Sequence, residues 1–238
     1  MIAPYYEHDG IVIYHADCRE VLPALGPVDH VLTDVPYSDD THDGARRTPA
    51  EKLLDFPSIA IDDLRSILGL VALRRWGVLT CDWQHVLPLK NDPPRGWRFM
   101  RHGLWVKPNP TPQFTGDRPG QGFEAVAILH GAAKGIRKRP AWNGGGLPAV
   151  WTHPKISGVH PTQKPEGLRL DWVLQFTDLG DTIVDPFMGS GTTLVAAKRL
   201  GRRAVGIERR ERDCAQAVQR LQQGSLELFA APVLEGVS

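Results

Sequence analysis

Asp181-Thr182-Ile183-Val184-Asp185-Pro186-Phe187-Met188-Gly189-Ser190-Gly191-Thr192-Thr193 decides the fold. The β-branched pair Ile183-Val184 predicts a buried strand. An acid follows, then a turn of small residues, then two hydroxyls that can cap a helix. Leu194 to Leu200 is rich in Ala and reads as that helix, and Gly201 fits its stop. Strand, glycine turn and helix N-terminus together make the ligand end of an open α/β sheet.

The rest of the chain repeats this alternation. Ile11 to Ala16 reads as a strand ending at Asp17, and Glu20 to Leu25 as a short helix. Asp29 to Thr33 reads as a strand ending at Asp34, and the β-α-β spacing predicts that these two strands are parallel neighbours. A helix is expected over Ile59 to Arg75, and a buried strand over Gly77 to Cys81. Leu87 to Gly96 carries three prolines and reads as connection. Phe99 to Val106 and Ala125 to Leu129 are two further strands. Glu166 to Phe176 is a helix, Arg203 to Ile207 a strand ending at Glu208, and Arg212 to Gln223 an amphipathic helix. Ala230 to Ser238 reads as a loose tail. The expected class is α/β, a doubly wound and mostly parallel sheet with inserted loops, in one domain spanning 1–238.

Three ligands compete for the glycine turn. A phosphate-binding loop needs GxxxxGK[ST], but Gly191 is followed by Thr192, not lysine. A dinucleotide turn needs GxGxxG, and the third position here is Leu194, whose side chain disfavours the close helix approach that seats a pyrophosphate. The third candidate is a nucleoside that carries a cation. It calls for carboxylates at strand ends, and the chain supplies Asp17, Asp185 and Glu208. Glu208 lies seventeen places after Gly191, near the offset of an acid that takes ribose hydroxyls.

Asp34-Val35-Pro36-Tyr37 follows a strand directly. Taken alone, four such residues are an aspartate capping a proline turn. Beside a nucleoside site they are also the parts needed to alkylate an exocyclic amine of a base. That amine is a poor nucleophile, because its lone pair is delocalised into the ring. Asp34 and the carbonyl of Val35 can accept its N–H protons and localise the lone pair. Pro36 aims the carbonyl, and Tyr37 can stack on a base that has left the duplex.

With these stretches the chain resembles the amino-group DNA methyltransferases that use S-adenosylmethionine, in the subgroup whose catalytic tetrapeptide precedes the glycine motif. Three motifs match in that order: Asp34–Tyr37, His160–Pro165 and Asp185–Thr193. Ala16-Asp17-Cys18 and Trp105-Val106-Lys107 support them. The resemblance implies a Rossmann-like methyltransferase fold with Phe187, Gly189, Gly191 and Thr192 in the cofactor bed. It puts Asp185 on the methionine amino group, Glu208 on the ribose hydroxyls and Asp17 on the adenine amino group, with Thr162 and Lys164 facing the methionine carboxylate. Asp34, Val35, Pro36 and Tyr37 would be catalytic. Val35 departs from the family, which usually has proline there, so the turn is expected to be less rigid.

The reading is therefore a methyltransferase acting on adenine N6 in double-stranded DNA. Cytosine N4, whose amine has the same geometry, is the alternative; relatives acting there more often begin the tetrapeptide with Ser, so Asp34 favours adenine. RNA or a protein amide is a second alternative. A cytosine-C5 mechanism needs a cysteine nucleophile, normally after proline, and none of Cys18, Cys81 and Cys214 follows one. Target recognition is expected within 84–158. Phosphate contacts are expected from Lys134, Arg137, Lys138 and Arg139, and from Arg46 and Arg47 in the polar loop Ser38 to Pro57. Asp39, Asp40, His42 and Asp43 in that loop could be imagined as a metal site, but the reaction needs no metal. The net charge of +1 gives no global field for nucleic acid. A homodimer could share the reading of DNA. With no signal peptide, no membrane-length apolar run and no CxxC pair, the expected location is the cytoplasm.

Overall fold

Ile183 and Val184 form the expected buried strand, and their side chains enter two different hydrophobic cores. The computed structural model describes residues 2–36, 58–110, 112, 116–136, 140–156 and 164–229, with side chains to 223. These residues build one nine-stranded sheet. Its strands are β1 (Tyr6–His8), β2 (Ile11–His15), β3 (His30–Asp34), β4 (Trp76–Cys81), β5 (Trp97–Val106), β6 (Phe123–Gly131), β7 (Val150–Thr152), β8 (Thr182–Asp185) and β9 (Arg203–Glu208). Their spatial order is β1-β2-β9-β8-β3-β4-β6-β5-β7.

The helices are α1 (Cys18–Val21), α2 (Ile61–Leu68), α3 (Trp83–Asn91), α4 (Glu166–Phe176), α5 (Thr192–Arg199) and α6 (Glu211–Phe229). Strand residues alternate between the faces, as a pleated strand requires. Leu32, Val78 and Ile183 pack with Leu168, Trp172, Leu194, Ala196 and Cys214 of α4, α5 and α6. Val31, Leu79 and Val184 pack with Val21, Leu64, Ile67 and Leu89 of α1, α2 and α3. This is the doubly wound arrangement. The segment 84–158 contributes β5, β6 and β7 to the same sheet.

Strands β2, β9, β8, β3 and β4 run parallel. From β8 the chain crosses through α5 to β9 on one side, and from β3 through α2 to β4 on the other. The direction of winding reverses between β8 and β3, which opens a crevice at their carboxyl ends. Asp185 and Asp34 stand on its two sides, at the ends of neighbouring parallel strands.

Three expectations need correction. Strands β2 and β3 are parallel but not neighbours, because β9 and β8 lie between them. The α2 helix stops at Leu68 rather than Arg75; Gly69 caps it, and Leu73 leaves to form a parallel bridge with Val28. The proline-rich stretch after Cys81 is partly helical. Asp82 accepts from the His85 N–H at 3.0 Å, and the burial of His85 and Leu89 outweighs the one backbone bond that Pro88 removes.

Leu194 does not keep α5 away from the sheet. The space is made on the strand, where Gly206 of β9 faces it: a Cβ there would meet Met188 Sδ and come within 2.8 Å of Leu194 Cδ2. Gly206→Ala is therefore expected to cost about 1–3 kcal/mol by overpacking, read from the midpoint of urea unfolding.

Candidate active site

The crevice is a cavity of about 730 Å³. Asp17, Asp34, Val35, Pro36, Lys164, Asp185, Phe187, Gly189, Thr192 and Glu208 all line it. Gly191 sits just behind, as the N-cap of α5 with φ 76°; a Cβ there would lie 2.7 Å from Ala217 Cβ. No hydroxyl caps this helix. Thr193 instead bonds the carboxyl of Asp185. Tyr37, Arg46, Arg47, Arg137, Lys138, Arg139 and Thr162 lie outside the described residues, as does the acidic group Asp39 to Asp43.

One half of the cavity is formed by β2, β9 and β8. His15 pairs with Glu208 across β2 and β9, and the Ala16 N–H donates to the Glu208 carbonyl at 3.0 Å, so Asp17 and Glu208 stand side by side. The Asp17 carboxylate caps α1 through the Arg19 N–H at 2.9 Å. The Glu208 carboxylate accepts from the Gly189 N–H at 3.1 Å and the Arg210 N–H at 2.9 Å. Two backbone donors thus fix it against the glycine turn. Asp185 is almost wholly buried; it accepts from Thr33 Oγ1 at 2.6 Å and the Phe187 N–H at 3.2 Å. Burial raises its pKa above the usual carboxylate range, and the Arg169 guanidinium and these hydrogen bonds only partly oppose the shift. A carboxyl buried in this way favours a cationic ligand, which would hold it in its charged form.

The other half is formed by β3, β4, β5 and β6. Asp34 Oδ1 accepts from Thr80 Oγ1 at 2.6 Å, and Asp34 Oδ2 meets Lys164 Nζ at 3.1 Å. Lys164 Nζ also lies 2.9 Å from Glu124 Oε2, and Lys107 pairs with the second oxygen of Glu124. Both ammonium groups sit over the Trp105 ring, at 4.9 Å for Lys107 and 5.5 Å for Lys164. Burial would lower the Lys164 pKa, but Asp34 and Glu124 outweigh it and hold it raised, so the lysine stays charged. The Val35 N–H donates to the Thr80 carbonyl at 3.1 Å, and the Val35 side chain is buried. Packing and a hydrogen bond that proline cannot make therefore hold this turn.

Thr80, Glu124 and Arg169 belong to this site and were not singled out by motif reading, while Lys107 was quoted only within the supporting Trp105-Val106-Lys107 match. Arg169 had a legible signal: it is a charged residue in phase with the buried Trp172, Val173 and Phe176 of α4. Glu124 opens β6 and had none. Lys134 is exposed and follows β6, whose end pairs with the start of β4, so it leaves the sheet at the end away from the cavity. Cysteine chemistry has little support, because burial pushes the Cys18 thiol, beside the cavity, up to about 11.

A doubly wound sheet with a glycine turn and three strand-end acids on one side of its crevice, and a fourth acid, Asp34, on the other, is the arrangement of a Rossmann-like methyltransferase. A family model for the N6/N4 DNA methylases matches residues 28–219, and the chain belongs to that family, whose members use S-adenosylmethionine. The type II methyltransferase M2.LlaDCHI of Lactococcus lactis subsp. cremoris is 27% identical over 261 residues, 94% of each chain. M2.DpnII of Streptococcus pneumoniae is 28% identical over 244 residues, 87% of this chain and 88% of its own. The crystal structure of the M1.HpyAVI–SAM complex superimposes with a TM-score of 0.63 at 26% identity, over 89% of this chain and 99% of that one. The PvuII cytosine-N4-specific DNA methyltransferase shares the fold, with a TM-score of 0.70 at 14% identity. The residues present fit the cofactor, which carries an ammonium and a sulfonium, since buried Asp185 and the anchored Glu208 are the groups such a ligand needs. Among the described residues no helix is long and apolar enough to cross a membrane.

Proposed function

We propose that this DNA methyltransferase modifies N6 of adenine in double-stranded DNA, within a short recognition site and on a base turned out of the duplex. The observation that carries the proposal is the setting of Asp34. Thr80 and Lys164 hold one carboxylate oxygen each, at the end of the strand next to Asp185. A carboxylate so fixed accepts an amine proton without reorganising. The Val35 carbonyl, one peptide on, is the second acceptor. S-adenosylmethionine supplies an electrophilic methyl group on its sulfonium. Asp185 takes its methionine ammonium, Glu208 the ribose hydroxyls and Asp17 the adenine amine, with Phe187, Gly189, Gly191 and Thr192 forming the bed. Lys164, expected on the methionine carboxylate, is assigned to the acceptor acid, leaving Thr162 for the carboxylate. Tyr37 stacks on the base.

The duplex is read by the 84–158 segment. We assign phosphate contact first to Lys155, which lines the cavity as Lys107 does but is exposed, whereas Lys107 is paired with Glu124. Their loops are clipped together by Asn109, which donates to the Lys155 carbonyl at 3.0 Å and accepts from its N–H at 2.7 Å. Cytosine N4 is the nearest competing acceptor, because its amine has the same geometry. The experiment is nucleoside analysis of DNA from a methylation-free host expressing the protein. N6-methyladenine is the expected product. N4-methylcytosine without N6-methyladenine would overturn the choice of base.

A further inference from the structure

Arg169 is a costly residue where it stands. It is 2% exposed, on a helix face whose other members are Leu168, Trp172, Val173 and Phe176. A buried guanidinium costs several kcal/mol unless it meets partners of its own. Its partners lie in the active site. Arg169 lines the cavity, its plane is seated over the Trp172 ring at 4.5 Å, and its Nη2 donates to Thr80 Oγ1 at 3.3 Å.

Thr80 is buried, and its hydroxyl has a single proton to give. Two acceptors are in reach: Asp34 Oδ1 at 2.6 Å and the Thr33 carbonyl at 3.4 Å. A donor that approaches one lone pair of Oγ1 restricts where the proton can point. We infer that Arg169 is a positioning residue for methyl transfer, fixing the Thr80 hydroxyl so that its proton goes to Asp34 and aims that carboxylate at the target amine. This deepens the methyltransferase reading and rests on it. Thr80 is the hinge of the device, because β4 carries it beside β3 and its own carbonyl anchors the peptide after Asp34. The guanidinium also opposes the effect of burial at Asp185, so the charge of one cation acts on both halves of the cavity.

The test is steady-state methylation of unmethylated duplex DNA by the full chain, with kcat and the KM for S-adenosylmethionine measured separately. Thr80→Val removes the hydroxyl at constant shape. It is expected to lower kcat by about 10- to 100-fold, the size of one hydrogen bond to a charged group, with the cofactor KM unchanged. Thr80→Ser should restore most of kcat. Arg169→Met should lower kcat comparably and also raise the cofactor KM, since Asp185 loses its cation. In the double variant the two kcat effects should not multiply, because both cut the same route to Asp34. Wild-type kcat in Thr80→Val would overturn the inference. Multiplicative losses in the double variant would overturn it as well. Wild-type kcat in Arg169→Met would overturn it too, and if that variant fails to fold, Arg169→Lys, which keeps the charge but loses the planar fork, is read in its place. Absence of methyl transfer by the wild-type chain would overturn the functional reading, and this inference with it; transfer by the wild type with an insensitive Thr80 overturns the inference alone.

Discussion

Asp34→Ala lowers methyl transfer by about 10³-fold or more, while S-adenosylmethionine binds within about twofold of wild type. The expectation follows from the division of the cavity. Asp34 stands on β3 in the acceptor half, and the groups assigned to the cofactor stand on β2, β9 and β8. Its removal leaves Lys164 paired with Glu124, and the Thr80 hydroxyl with the Thr33 carbonyl 3.4 Å away. The fold keeps its hydrogen bonds and loses the acceptor. Asp34→Asn is expected to be nearly as damaging: its amide carries no charge, and in one of its two orientations it turns an NH2 toward Lys164. Calorimetric binding of S-adenosylmethionine beside single-turnover methylation separates the two halves. Equal loss of both would contradict the assignment.

Asp185→Asn should do the reverse, weakening the cofactor by about 100-fold or more while leaving a sound fold. A buried charge pair broken at one partner costs several kcal/mol, and the partner assigned to Asp185 is the ligand's ammonium. The same change should stabilise the ligand-free protein. Burial holds the Asp185 pKa above its unfolded value, so the folded chain binds its proton more tightly than the unfolded one. Stability is then lost as pH rises from the unfolded pKa through the raised folded pKa, and at neutral pH the ionised carboxylate is a net cost. Asparagine removes that cost, so its Tm at neutral pH is expected to lie above that of the wild type. The gain should vanish at acid pH, where wild-type Asp185 is already protonated. Cofactor affinity should fall on that same acid side. Melting curves for both proteins across this range check the sign.

Both active-site acids could be read from the chain because each ends a strand whose apolar pattern is local. Ile183-Val184 before Asp185 and Val31-Leu32 before Asp34 mark the strands without any knowledge of the partners. The strand order could not be read in the same way. The β2-α1-β3 unit looks like adjacent strands, and only the return of the distant β8 and β9 between them separates the pair. The helix over Trp83–Asn91 was hidden by Pro88, since local propensity counts the lost bond but not the Asp82 cap or the burial of Leu89. The companions of Asp34 were hidden for another reason. Glu124 reaches Lys164 only because β6 runs antiparallel to β4, which brings its first residues to the carboxyl end of the parallel strands. Side chains that meet through sheet topology leave no spacing in the sequence.

The measurement that tests the account most directly is transfer of a labelled methyl group from S-adenosylmethionine by the purified chain, offered unmethylated genomic duplex DNA, RNA and protein in parallel. Label in duplex DNA, recovered as N6-methyladenine and lost with Asp34→Ala, is the predicted result. A chain that binds S-adenosylmethionine but labels RNA or protein in preference to duplex DNA would contradict it.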